Sequence, residues 1–247
     1  MILQKFLPYN PLEAVKLPGI KPLDLADWLQ PDDAFAGQMA QREQLLAQQR
    51  EAVLRMQPSA GVAAQELLEM VLDHRYDGAR QHVMRPDGVD VALDWQAPLA
   101  TLGLICQEDF CLLERPEGSP EHVLTGAVLC FPASWTLSEK FMRPLIGIHH
   151  TVDSYDEMLA KRVQRLFDGV QMGRPLWRFN ALWYHSPELF APRRENDPRD
   201  DSHGADAPYM RSEKQVVLRL PKSRAVVFSI HTYMVHRDDV MRQWGVD

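Results

Sequence analysis

The rhythm of apolar and polar positions changes twice along this chain. Residues 1–35 carry short apolar patches broken by prolines (LPYNPLEAVKLPGIKPLDLADWL), which predicts an extended arm laid over a surface. From Gly37 to Gln57 the residues are strongly helix-favouring, with Leu45, Leu46, Val53 and Leu54 as a narrow apolar stripe. Leu67, Leu68, Val71 and Leu72 recur at helical spacing and predict a second helix from Val62 to His74.

Near Leu99 the character shifts. TLGLICQEDFCLLE and HVLTGAVLCFP are dense in β-compatible residues and are expected to be strands. A helix is expected from Ser154, where Ser154 and Glu157 form a capping-box pattern. Tyr155, Met158, Leu159, Val163, Leu166, Phe167 and Val170 keep one of its faces apolar, and Gly173 and Pro175 end it. LWRFNALWY alternates with period two, placing Trp177, Phe179, Ala181 and Trp183 on one strand face. KQVVLRL and AVVFSIHTY, joined by PKSR, predict an antiparallel hairpin. The pattern is α+β: an N-terminal helical region, then an antiparallel sheet of five or six strands carrying one long helix. Residues 1–98 are expected to form an arm and helices packed on a core of residues 99–247, as one compact unit.

With 45% hydrophobic residues the chain can build a core, and a net charge of −7 without a concentrated basic stretch argues against nucleic acid as a partner. No segment has the apolar length to cross a bilayer, so no membrane role is expected. Cys106, Cys111 and Cys130 are an odd set, which fits reduced thiols and a cytoplasmic location better than a disulfide framework. Dinucleotide-binding, P-loop, zincin, nucleophile-elbow and C-x-x-C signatures are all missing.

Three features could carry chemistry. Gln107-Glu108-Asp109 interrupts a hydrophobic stretch, and buried carboxylates need partners. The run is either a β-turn with a solvated tip or a pocket wall able to receive a substrate cation. His149-His150 follows an apolar run just before the predicted helix. Adjacent side chains diverge, so one of the two at most can serve a given metal, and a structural histidine is the alternative. His231 shares a strand face with Val227 and Tyr233 and can point inward as a core or rim residue. The charged stretch PRRENDPRDDSHGADAP reads as a surface loop or as a lid over a pocket.

LPGIKPLDLADWLQPDD, LGLICQEDFCLLE, LTGAVLCFPASWTLSEKFMRPLIGIHHTV, YDEMLAKRVQRLFDGV, GRPLWRFNALW and RSEKQVVLRLPKSRAVVFSIHTY follow one another through nearly the whole chain. In wording and order they resemble the haem-dependent oxidative N-demethylase family. The resemblance implies a PAS-like antiparallel sheet holding haem b, and oxygen-dependent removal of a methyl group from a small alkylamine with release of formaldehyde. It implies electrons from a separate flavin and iron–sulfur reductase component. It places the axial iron ligand at His149, with His150 where the family pattern has a smaller residue. It also implies that Glu108 or Asp109 holds the amine by charge-assisted hydrogen bonding. Arg219, Arg224 and His231 on the final hairpin would meet haem propionates or carboxylate partners. A non-catalytic haem- or ligand-binding PAS-like sensor is the alternative, disfavoured by the lack of an output domain or signalling helix in this sequence. A structural protein with an empty pocket is a third.

Overall fold

The computed structural model describes residues 1–13, 19–149, 157–198, 204 and 206–245, with the backbone alone for residues 149 and 157–161. In chain order its strands are β1 (Lys21–Pro22), β2 (Leu54–Met56), β3 (His82–Met84), β4 (Asp90–Ala92), β5 (Asp109–Glu114), β6 (Val123–Val128), β7 (Leu176–Tyr184), β8 (Tyr209–Arg219) and β9 (Val226–His236). Its helices are α1 (Phe35–Gln48), α2 (Arg50–Val53), α3 (Gly61–Arg75), α4 (Pro98–Ile105), α5 (Leu137–Lys140), α6 (Leu145–His149), α7 (Glu157–Gly169) and α8 (Arg237–Trp244).

Mixed helix and antiparallel sheet is the α+β class expected. The main sheet has seven strands in the order β1-β7-β8-β9-β5-β6-β2, all paired antiparallel, and β3–β4 is a separate hairpin. Against the expected five or six strands, the sheet is extended by its outermost strands, β1 and β2, of two and three residues. Edges that short limit stray pairing with other chains. Both come from the region before residue 99, so the N-terminal segment is woven into the sheet at each side.

Two sequence expectations are corrected. The helix expected from Gly37 to Gln57 ends at Gln48, and after the turn of α2 the chain becomes strand β2, paired with β6. The segment before Gln107 is not a strand: Pro98–Ile105 is helix α4, with Pro98 at its start and nearly every residue buried. A short run apolar on all sides has no period to separate buried helix from buried strand. The Ser154 cap and Tyr155 lie outside the described residues, as do the side chains of Met158 and Leu159; α7 itself runs from Glu157 to Gly169.

Register sorts the sheet into two faces, because paired residues project to the same side. On the first, Trp177, Phe179 and Trp183 of β7 lie level with Val216, Lys214 and Met210 of β8, followed on β9 by Ser229, His231 and Val235. The arm and helices α1, α3 and α4 cover this face. Leu45, Leu46, Leu67, Leu68, Leu72, Leu99 and Leu102 pack there on Phe110, Leu112 and Val227. On the second face Cys111, Val217, Val226 and Ile230 meet Leu137 of α5, Leu145 and Ile148 of α6, and Phe167 and Val170 at the end of α7.

Candidate functional site

The site on the first face begins with Gln107-Glu108-Asp109, where α4 gives way to β5. All three residues are buried, so the solvated-turn reading does not hold. Arg42 of α1, fully buried, makes their burial affordable. Its Nε donates to Gly103 O at 3.1 Å, Nη1 to Gln107 O at 3.1 Å and to Asp109 Oδ1 at 2.7 Å, and Nη2 to Glu108 O at 2.7 Å. Asp109 also accepts from the backbone of Cys130 at 2.7 Å and Phe131 at 2.9 Å. Its carboxylate is fully used in joining α1, β5 and the segment after β6.

Glu108 turns to the first face and meets His231. His231 Nδ1 donates to Glu108 Oε1 at 2.9 Å, and Nε2 donates to Asp32 Oδ2 at 2.9 Å. Burial alone would lower the imidazole pKa. The two carboxylates override it and hold it up to about 9, so the ring is an imidazolium at neutral pH. Asp32, in turn, is lowered: burial works against this, but the His231 hydrogen bond and charge, with Gln107 and Gln4, outweigh it. Gln107 Nε2 donates to Asp32 Oδ1 at 2.8 Å and Gln4 Nε2 to Asp32 Oδ2 at 2.8 Å. The Tyr233 ring lies 4.5 Å from the imidazole. An open cleft of roughly 550 Å³ adjoins this cluster, lined among others by Tyr9, Asp27, Asp32, Trp177, Lys214 and Tyr233.

The second face carries a polar patch on β7–β9. Glu213 accepts from Asn180 Nδ2 at 3.1 Å and from Gln215 Nε2 at 3.1 Å, with Arg211 Nε 3.5 Å away. Arg178 lies level with Gln215, and burial lowers its pKa against the opposing pull of Glu213. Its buried Nε has no hydrogen-bond partner among the described residues, and neither does Thr232 Oγ1, level with Glu213 on β9. Unpaired buried polar atoms are rare enough to need a reason.

The residues singled out in the sequence therefore fall in different places. Glu108 and His231 are directly bonded, and Asp109 lies next to them on a separate network. Arg219 stands at the other end of the hairpin, where it donates to Val170 O at 2.8 Å and to Phe167 O, tying the end of α7 to the sheet. Arg224, in the β8–β9 turn with φ 66°, meets Met172 Sδ at 3.0 Å. His149 is the last residue of α6; its side chain, and all of His150, lie outside the described residues. Part of the charged stretch, 199–203 and 205, lies outside them as well. Sequence reasoning missed Asp32, Arg42 and Arg178. Pro-Asp-Asp ending the arm was a signal for the first, while an arginine on a polar helix and one in an alternating strand have no distinguishing pattern.

A family model for haem-dependent oxidative N-demethylase, alpha subunit-like proteins matches residues 19–246. That span takes in the arm from Gly19, both faces of the sheet, and Asp32, Arg42, Glu108, Asp109, His149, Arg178, Arg219, Arg224 and His231. The chain belongs to the haem-dependent oxidative N-demethylase alpha subunit-like family.

Proposed function

We propose that this protein is a haem-dependent oxidative N-demethylase acting on a small alkylamine of the dimethylamine kind. The reading is carried by the family match over residues 19–246. The five long strands, placed 2-1-5-4-3 across the sheet when counted from β5 to β9, would be its PAS-like core. Haem b would lie on the second face, by α6 and α7, with His149 as the residue that would hold its iron.

The residues of that face suit a porphyrin. Ile230, Phe228 and Cys111 offer an apolar floor, and Arg178 and Thr232 bring polar atoms that have no partner among the described residues. A propionate is the kind of acceptor an unpaired guanidinium N–H fits. When bound, the haem iron supplies the oxygen and electron chemistry. The balance is one amine methyl, one O₂, two electrons and two protons giving the demethylated amine, formaldehyde and water. The electrons would come from a separate flavin and iron–sulfur reductase, in keeping with an alpha-subunit-like family, and a cytoplasmic location is part of the same proposal.

The chain's own residues would position and exclude. Arg219 fixes the end of α7 to β8, and the apolar cluster beneath α6 keeps bulk water from that side. Glu108 is engaged by His231 and Asp109 by Arg42, so Glu108 would tie the start of β5 to β9 and Asp109 would tie β5 to α1. The test is an absorption spectrum of the haem-supplied protein beside a His149→Ala variant, followed by formaldehyde release from dimethylamine with a reductant. A Soret band that shifts on reduction and is lost or altered in the variant supports the reading. No Soret band after haem reconstitution sinks it.

A further inference from the structure

The charged stretch after β7, expected from the sequence to be a surface loop or a lid, is docked along its described part. Arg211 Nη1 donates to Leu189 O at 3.0 Å and its Nη2 to Phe131 O at 2.6 Å, so the chain leaves β7 beside the segment that follows β6. Ala191 then pairs with that segment: its N–H donates to Pro132 O at 3.1 Å, and its carbonyl accepts from Ser134 N at 3.1 Å. Further on, contacts run both ways between Glu195 and the end of α5. Glu195 N donates to Glu139 Oε2 at 3.1 Å. The Glu195 carboxylate accepts from Lys140 Nζ at 2.7 Å and from Arg143 Nη1 at 3.0 Å. Asp197 folds the stretch back on itself, accepting from Arg194 N at 2.9 Å.

Two features make this more than a surface contact. The Lys140 side chain is 2% exposed, and among the described residues Glu195 is its only hydrogen-bond partner. A buried ammonium stripped of its counter-charge is strongly unfavourable, so the closed position of α5 depends on Glu195. The hydrogen bond and charge of Lys140, with those of Arg143, hold the Glu195 carboxyl below the usual range. Independently, the backbone is left-handed at Ser134 (φ 61°) and Met142 (φ 62°), one before α5 and one after it. Neither is glycine, and such conformations persist only where their surroundings enforce them. Between these joints Leu137 is buried against the second face. Leu137, Leu145 and Phe167 together cover its floor, so a porphyrin-sized ring reaches that floor only when part of this layer lifts.

We infer that residues 191–197 are a strap that locks residues 135–141 over the second face, with Glu195 as the bolt and Ser134 and Met142 as the joints. That the opened segment admits haem rests on the proposed function; the strap itself does not.

Hydrogen exchange of the full-length, haem-free protein, followed by mass spectrometry, tests it beside hemin uptake followed at the Soret band. In Glu195→Gln, exchange across residues 135–141 and the rate of hemin uptake should each rise about tenfold, while exchange in β8 and β9 stays as in the native protein. Lys140→Met added to Glu195→Gln removes the buried charge as well, and both rates should return toward their native values. A chain that merely folds badly would show no such return. Unchanged exchange across residues 135–141 in Glu195→Gln overturns the strap, as does a rise spread equally over β8 and β9. Faster exchange with unaltered hemin uptake overturns the segment's part in admitting haem. A native protein that takes up no hemin sinks the haem reading and the cargo named here, and exchange then decides the strap by itself.

Discussion

Glu108 Oε1 and His231 Nδ1 lie 2.9 Å apart across 123 residues of chain, and Asp32 completes the clamp on the other ring nitrogen. This contact joins the arm, the start of β5 and the middle of β9. Its strength is tied to protonation. His231 is raised to about 9, so its contribution is fully present below the unfolded histidine value of about 6.5 and is lost as pH rises through 9. Asp32 is lowered, so its contribution is present above the unfolded value of about 3.9 and is lost as pH falls through its folded pKa. Urea midpoints measured from pH 4 to pH 10 should therefore decline on the alkaline side from about pH 6.5. In His231→Gln that alkaline decline should flatten. An unchanged slope would show that the imidazolium is not what the two carboxylates hold.

Arg42 is the counterpart on the Asp109 side. Arg42→Met strands a carboxylate that is fully buried and leaves three backbone carbonyls without their donor. Breaking a buried pair from one side costs about 3–5 kcal/mol, whereas removing both charges costs much less. Chemical denaturation should show Arg42→Met strongly destabilised and Arg42→Met/Asp109→Asn partly restored. A double variant as unstable as the sum of the singles would mean that the carbonyl contacts, not the charge pair, carry the stability.

How much of this was legible follows from the kind of signal each element leaves. The β8–β9 hairpin and β7 read correctly because one face of each strand alternates against a packed arm or helix, which is period two in the sequence. Helix α4 did not, because Leu99, Leu102 and Ile105 are buried together with nearly all that lies between them. His231 and Glu108 were visible as residues of the right chemistry. Their meeting was not, since it depends on Asp32 being brought by an arm whose prolines announce an irregular path but not its destination. Arg42 sits on a helix that reads as mostly solvated, and only the fold shows that this face looks into the core.

Gly103 is fixed by a close approach. A Cβ there would stand 2.8 Å from Val128 Cγ2 and 3.0 Å from Leu46 Cδ1. Alanine gains about 1 kcal/mol of helix propensity over glycine, while overpacking costs about 1–3 kcal/mol and the β-branched Val128 cannot easily turn away. Gly103→Ala should lower the thermal midpoint, and adding Val128→Ala should cost less in that background than in the native one. A neutral or stabilised Gly103→Ala would mean that α4 shifts freely on the sheet.

Arg178 offers the sharpest check on where haem would lie. Its Nε is buried on the second face without a hydrogen-bond partner among the described residues, and the neighbouring carboxylate of Glu213 is engaged by Asn180 and Gln215. If a propionate is the missing acceptor, a charge-assisted hydrogen bond worth about 1.5–3 kcal/mol is lost in Arg178→Gln, a fall of about tenfold to a hundredfold in haem affinity. The dimethyl ester of haem lacks the carboxylates, so its binding should be weaker in the native protein and should hardly respond to the substitution. Arg178→Lys should recover part of the loss, because a point charge replaces the fork. Soret titrations of the three proteins with both porphyrins give the pattern. Equal losses for haem and its ester in Arg178→Gln would mean a disturbed pocket. Unchanged haem binding in Arg178→Gln, with a Soret band still dependent on His149, would keep the cofactor on this face and assign its propionates elsewhere.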